Sequence, residues 1–250
     1  MKFFIIILIS ILTCLKPAAQ DVAAIVKEAD RLEALPDEHG ALLKFIEAIK
    51  LQPNHLHALS KGSELCSRIG QRQNNTKMRD DYYAAAKVYA ENALKIDPTY
   101  SEANTAMAIM LGRTTLTKSG KEKVIAAKDL KKYVDAAIKS NPLNFLGWHV
   151  LGRWHYEISN LNFIERAAVK MFYGGFPPSS LKEGIAAFEK AKAIAPGFIL
   201  NYYELAKAYY RNDETPKAIA ILNQMLLLPN HTEDDPTIKE TGKKLLLEWK

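Results

Sequence analysis

An alanine followed five residues later by a proline recurs four times in this sequence, and this recurrence strongly restricts the possible fold. The four segments are residues 48–53, 93–98, 137–142 and 191–196. Proline cannot continue a helix, because it lacks a backbone N–H and its ring clashes with the preceding turn. Each segment therefore predicts the end of a helix, and their recurrence predicts a chain of repeated helical units.

The spacing of small residues defines the repeating unit. In the 34-residue tetratricopeptide pattern two helices cross where their side chains are smallest, so position 8 requires a small residue. Repeats that begin near residues 22, 56, 101, 145 and 199 place Ala29, Ser63, Ala108, Gly152 and Ala206 at this position. We therefore expect an all-α fold, a right-handed superhelical solenoid of about five tetratricopeptide-like helix pairs. An apolar pattern over residues 237–249 predicts the C-terminal capping helix that covers the open end of a solenoid.

Repeats 2, 3 and 4 need insertions between their two helices to keep this register. The first two insertions, near residues 71–76 and 114–123, are polar. The third contains apolar residues at helical spacing from Phe163 to Phe172, and it predicts an additional helix that Gly174 and Gly175 end. Ser180 and Glu183 then have the spacing of a capping box, which predicts the start of the next helix.

Several ordered motifs in residues 40–250 resemble the regulator of microtubule dynamics family. They are Arg-Trp-His-Tyr-Glu at 153–157, Phe-Ile-Glu-Arg at 163–166, Met-Phe at 171–172, Pro-Pro-Ser-Ser at 177–180 and Asn-His-Thr-Glu-Asp-Asp at 230–235. The resemblance implies a tetratricopeptide-like fold. It also implies association with microtubules or membranes, as in the eukaryotic members.

The first twenty residues have the composition of a cleaved signal peptide. Lys2 precedes an apolar run over residues 3–13, and small residues follow at 17–20. The run is shorter than the roughly 20 apolar residues that span a bilayer. We expect export to the periplasm or the extracellular space, a mature repeat domain over 21–250, and hence a bacterial exported member of the family. An exported protein would not meet microtubules. The alternatives are a membrane anchor through residues 3–15 and lipidation at Cys14.

The first helix of each tetratricopeptide pair lines a concave groove, and the C-terminal half of this groove mixes cations with aromatic rings. Arginine binds carboxylates through a planar two-pronged guanidinium, and tyrosine adds flat apolar area. We expect a non-catalytic scaffold that holds a protein partner through an acidic peptide segment. The candidate groove residues are Arg113, His149, Arg153, Tyr156, Tyr203, Lys207, Tyr210 and Arg211.

Two other interpretations of the same groove remain open. The groove could carry a lipid or another amphiphile, or tether the protein to a membrane, with the helix over residues 163–172 closing over it. Alternatively, its charged residues could be ordinary solvated side chains, since exposure is the usual state of a charge.

A second basic region lies within residues 118–139. Lys121, Lys128 and Lys132 share one face of a predicted helix. They could contact an anionic lipid surface or an acidic protein tail, or they could form a solvated face. The formal net charge of +6 is too small to predict a nucleic-acid partner.

The sequence contains no motif that predicts an enzyme. It has no glycine-rich phosphate loop, and His149 and His155 are too far apart on one helix to share a metal ion. Cys66 falls at a packing position and is the only cysteine left after signal cleavage, so no intramolecular disulfide can form. We expect no catalytic residue, no metal ion and no cofactor.

Overall fold

A computed structural model describes residues 16–115 and 119–249 of the chain. This part is entirely helical and contains twelve helices. In chain order they are α1 Lys16–Ala34, α2 Glu38–Leu51, α3 Leu56–Gln71, α4 Thr76–Ile96, α5 Ser101–Thr115, α6 Gly120–Ser140, α7 Phe145–Ser159, α8 Phe163–Tyr173, α9 Leu181–Ile194, α10 Ile199–Arg211, α11 Thr215–Leu227 and α12 Asp235–Glu248. The predicted all-α repeat fold is confirmed.

Ten of these helices form five consecutive pairs. The pairs are α1 with α2, α3 with α4, α5 with α6, α7 with α9, and α10 with α11. Helices α3, α5, α7 and α10 begin at the residues predicted as repeat starts. Each pair also packs on the next one, and buried apolar residues occur along the chain from Val22 to Leu246. The result is a helical repeat solenoid.

The predicted small residues lie at the helix crossings. Ala29, Ser63, Ala108 and Ala206 are fully buried. A methyl group at Gly152 would lie 2.6 Å from the ring of Phe188, which no real Cβ contact permits. The small residue at position 8 therefore sets how closely the two helices of a pair can approach.

The first polar insertion, near residues 71–76, forms the connection between α3 and α4. The second includes the end of α5 and the start of α6, and its residues 116–118 lie outside the described part of the chain. Helices α4 and α6 each contain 21 residues, whereas α2 contains 14. The connection before α4 is short, and the Asn75 side chain accepts a hydrogen bond from the N–H of Met78 at the helix start. The third insertion contains the additional helix α8, as predicted.

Helix α12 covers the C-terminal end of the solenoid. Its Leu246 is buried, and Ile238, Leu245 and Trp249 pack on the same apolar cluster. The ring of Trp249 stacks on Tyr210 with centroids 4.2 Å apart and an interplanar angle of 5°. The capping helix begins at Asp235, slightly before its predicted start.

Most of the predicted signal peptide lies outside the described residues. Helix α1 begins at Lys16 and continues through the predicted cleavage site after residue 20. Among the helices that the structure describes, none combines the length and the apolar character required to cross a membrane.

Candidate ligand-binding groove

Arg113 differs from the other cationic groove candidates in its electrostatic surroundings. It lies in the last turn of α5, the first helix of the central pair. Within the described part of the chain it forms neither an ion pair nor a hydrogen bond. Burial and the positive charge of Arg153 lower the pKa of its guanidinium to about 10, and Arg68 acts in the same direction. Cations from the first helices of the two neighbouring pairs, α3 and α7, therefore act on a charge that has little water to solvate it.

Arg153 and Lys207 are already paired with a carboxylate. Arg153 on α7 donates a hydrogen bond of 2.9 Å to the buried Glu204 on α10, and Lys207 lies 3.1 Å from the other oxygen of Glu204. Burial alone would raise the pKa of Glu204, but the two cations outweigh it and lower the pKa. These predicted ligand-binding cations therefore have an internal counter-ion that the sequence analysis did not identify.

The aromatic candidates form a cluster beside this ion pair. The guanidinium carbon of Arg211 lies 4.0 Å from the centre of the Tyr156 ring, and Arg211 also donates hydrogen bonds to the Tyr156 carbonyl and the Ser159 hydroxyl. The ammonium of Lys207 lies over both the Tyr156 and Tyr203 rings, at 5.4 and 5.2 Å from their centres. Cation–π contacts of this kind hold the side chains in place.

Tyr210 does not join that cluster, because its ring stacks on Trp249 of the cap. The prediction for His149 also needs a correction, since the structure places this residue inside the solenoid rather than on the groove surface. Its ring nitrogen Nδ1 lies 3.0 Å from Oδ1 of Asn201, and Phe198 packs on the ring at 5.0 Å. Burial lowers the pKa of His149 to about 4, so the ring is neutral at pH 7. His149 joins α7 to α10, and it is unavailable to a ligand.

The N-terminal half of the predicted groove contains a denser set of ion pairs. Arg68 on α3 lies 2.8 Å from Glu33, 3.3 Å from Glu38 and 3.4 Å from Glu64. Lys61 contacts Glu33 at 3.0 Å. Within the described residues these cations form ion pairs with carboxylates, whereas Arg113 forms none.

The acidic segment over residues 231–235 reaches the first two repeats. The carboxylate oxygens of Glu233 and Asp234 each lie 3.2 Å from the guanidinium of Arg72, at the end of α3. Glu233 also accepts a hydrogen bond of 3.1 Å from the N–H of Glu38, and the charge of Asp234 raises the pKa of Arg113. The C-terminal end of the solenoid therefore contacts its N-terminal end. The sequence showed these acidic residues only as a family motif.

The predicted basic surface lies on α6 and is partly engaged within the chain. Lys128 donates a hydrogen bond to the carbonyl of Tyr173 on α8. Lys132 lies 3.0 Å from Asp129, while Lys121 is exposed near the start of the helix. The three lysines do not form a set of free cations.

Helix α8 does not cover the groove, contrary to one interpretation of the sequence. It lies against α6, the second helix of the preceding pair, and its large apolar side chains are exposed. Arg166 fixes its first turns by donating hydrogen bonds to the carbonyls of Ile158 and Leu161. A lid that buries an amphiphile would need its apolar face directed toward the groove.

The described residues contain no group of three or more His, Cys, Asp or Glu side chains that could hold a metal ion. Cys66 lies in the core as predicted, and burial raises the pKa of its thiol to about 12. A thiol that remains protonated at neutral pH is a weak nucleophile.

The chain is similar to known proteins in both sequence and structure. It is 28% identical over 177 residues to human "Regulator of microtubule dynamics protein 2", a match that covers 70% of this chain and 43% of the human protein. The similarly named protein 1 of Caenorhabditis elegans is 29% identical over 158 residues, covering 63% of this chain and 70% of that protein. The chain thus spans less than half the length of the human relative.

The solved structure of a thermophilic TPR protein from Thermus thermophilus has the same fold. It superimposes with a TM-score of 0.66 at 14% identity, covering 90% of this chain and 99% of that one. The sequence model described as "Regulator of microtubule dynamics protein 1-3" matches residues 25–250. Since this match includes nearly the whole chain, the protein belongs to the regulator of microtubule dynamics family.

Proposed function

We propose that this protein is a non-catalytic scaffold whose groove holds a protein partner by an acidic peptide segment. The observation that carries the proposal is Arg113, a largely buried cation without a counter-ion in the described part of the chain. Burying an unpaired charge is costly, and a carboxylate from outside the chain would relieve that cost. The tetratricopeptide fold supports this proposal, because its curved inner surface suits an extended partner.

Arg113 is a better anchor than the other predicted cations. Arg153 and Lys207 must be separated from Glu204 before they can bind a new anion, whereas Arg113 forms no ion pair within the described residues and meets the charge of Asp234 only through space. A charge-assisted hydrogen bond to a carboxylate is also stronger where water is scarce. The partly exposed rings of Tyr156 and Tyr203, which lie next to Lys207, provide flat surface for the rest of the peptide.

The site of action is also part of the proposal. The apolar run over residues 3–13 favours export to the periplasm or the extracellular space, where the partner would differ from the microtubules named for the relatives. Sequencing the N-terminus of the mature protein tests this directly. A first residue near 21 supports export, whereas a chain that begins at Met1 contradicts it.

Binding of a fluorescein-labelled hexaglutamate peptide, measured by fluorescence anisotropy at low ionic strength, tests the groove. The Arg113→Gln variant should bind more weakly by about tenfold or more, since one charge-assisted hydrogen bond contributes roughly 1.5–3 kcal/mol. Lys121→Gln is the matched control, because it removes the same charge from the exposed start of α6. Equal loss in the two variants, or no loss in Arg113→Gln, would overturn the proposal.

The partner itself can be identified by cross-linking the protein in its own host. A partner with an acidic segment that fails to cross-link to Arg113→Gln would agree with the proposed role of the groove. A partner that cross-links equally well to the variant would contradict it.

A further inference from the structure

We propose that the acidic segment over residues 231–235 is an internal ligand, which holds the two ends of the solenoid together and which the partner's acidic segment displaces. The inference rests on the proposed function and adds to it a mode of regulation. It also specifies the ligand chemistry, because the internal segment presents two adjacent carboxylates, Glu233 and Asp234.

The contacts of this segment are those expected of a bound acidic peptide. One oxygen of Glu233 lies 3.2 Å from Nη2 of Arg72, and the other accepts the backbone N–H of Glu38 at 3.1 Å. Oδ1 of Asp234 lies 3.2 Å from Nη1 of Arg72. The segment thus combines side-chain and main-chain recognition on elements that lie far away in the sequence.

Hydrogen bonds within the segment fix its conformation independently of Arg72. The buried carboxylate of Asp235 accepts hydrogen bonds from the N–H groups of His231 and Thr232, at 2.7 and 2.8 Å. This turn sits at the start of α12, and α12 is anchored on the last helix pair by Leu246. A ligand fixed in this way has a high effective concentration at its site, even when each contact is weak.

The contact is nevertheless weak enough to be released. The side chains of Arg72, Glu233 and Asp234 keep between a quarter and a third of their surface exposed. Exposed ion pairs contribute about 0–1 kcal/mol each. In addition, Nη1 of Arg72 makes no hydrogen bond of acceptable geometry, although Asp234 is near. Arg72 is also held by the buried Glu38 at 2.6 Å, so it remains in place when the segment leaves.

A competing ligand would reach the same set of charges. Arg72 and Arg68 share the carboxylate of Glu38, at 2.6 and 3.3 Å. The charges of Arg68 and Asp234 both act on Arg113. An acidic peptide bound at Arg113 would bring further carboxylates close to Asp234, and like charges repel. Peptide binding and closure by residues 231–235 therefore oppose each other.

The test compares two double variants with the wild type, using the fluorescein-labelled hexaglutamate peptide. Glu233→Gln with Asp234→Asn removes the internal carboxylates. Glu240→Gln with Glu248→Gln changes the net charge equally on exposed residues of the same C-terminal region, away from Arg72. We expect the first variant to bind about fivefold more tightly, the gain that arises if the closed form makes up about four-fifths of the molecules. The second variant should bind like the wild type.

Hydrogen exchange gives a second measurement on the unmodified protein. Saturating hexaglutamate should speed exchange at the amide of Glu38, because displacement of Glu233 removes the carboxylate oxygen that accepts its N–H. Equal affinity in the wild type and the first variant, with unchanged exchange, overturns the internal-ligand proposal and leaves the proposed function intact. Absence of binding in all three proteins overturns the proposed function and this inference with it. An equal gain in both variants assigns the effect to net charge and also overturns the inference.

Discussion

Helices α8 and α12 both lie outside the five pairs, yet they direct their apolar residues in opposite directions. Helix α12 buries Leu246 to 6% exposure and packs its other apolar residues on the last pair. Helix α8 leaves Phe163 at 85%, Ile164 and Met171 at 77% and Phe172 at 69% exposure. The two helices show that an apolar pattern predicts a helix but does not determine where its apolar face points.

The difference follows from the surface that is available to each helix for packing. Helix α12 follows the last pair, whose apolar surface has no further repeat to cover it. Helix α8 is inserted between α7 and α9, which already pack tightly against each other. A methyl group at Gly184 of α9 would lie 3.2 Å from the carbonyl oxygen of Gly152 on α7. Helix α8 is attached through its polar residue Arg166, which donates a hydrogen bond to the carbonyl of Ile158 on α7.

The largest effect is expected from Leu246→Ala in the cap. Removing a buried leucine side chain should lower the free energy of unfolding by about 3 kcal/mol, since the lost burial and the remaining cavity both destabilise the fold. Leu247→Ala is the matched control, because its neighbouring side chain is 79% exposed. Urea denaturation measures both. Similar losses in the two variants would contradict the role of α12 as a packed cap.

Acidification should destabilise the packing of α7 on α10 but should leave α8 unaffected. Burial lowers the pKa of His149 to about 4, below its unfolded value near 6.5. Between these values the unfolded chain binds a proton that the folded chain does not, so stability decreases as the pH falls. This shift corresponds to about 3 kcal/mol in total, lost progressively from pH 6.5 to pH 4.

Hydrogen exchange at several pH values can assign this loss to the joint between α7 and α10. Amides of these two helices should lose protection on acidification, while those of α8 should change little. The His149→Gln variant provides the control, because it removes the titrating group and should show a shallower pH dependence. An equally steep dependence in that variant would contradict the assignment to His149.

The Gly152→Ala variant tests whether the crossing of α7 and α9 is too tightly packed to accommodate α8. In Gly152→Ala the new Cβ would meet the fully buried ring of Phe188, and overpacking of this kind costs about 1–3 kcal/mol. Gly112→Ala is a suitable comparison, because its Cβ would have only an ordinary contact of 3.4 Å with Leu130. If Gly152→Ala is as stable as Gly112→Ala, the crossing of α7 and α9 can open, and tight packing does not explain the position of α8.

Local chemistry made much of this fold predictable. Small residues at position 8 and prolines after each pair are imposed by helix crossings and helix ends, so the starts of four pairs could be located from the sequence. The side-chain pairings of the groove candidates could not be predicted, because they join distant parts of the chain. No local pattern in the sequence indicates that Glu204 forms an ion pair with Arg153 or that Asp234 forms one with Arg72. The hydrogen bond between Asn201 and His149 likewise has no local signal.

The smallest effect on stability is expected on the exposed face of α8. In the double variant Phe163→Ser with Phe172→Ser, two side chains that bury little surface are replaced, so the free energy of unfolding should change by no more than about 0.5 kcal/mol. Self-association at high protein concentration, measured by analytical ultracentrifugation, should decrease, because an exposed apolar patch favours non-specific contacts. Arg166→Ala supplies the contrast within α8, because it should release the helix and speed amide exchange over residues 163–173. A loss of stability of more than about 1 kcal/mol in the double variant would show that this face packs like α12, and the comparison between the two helices would fail.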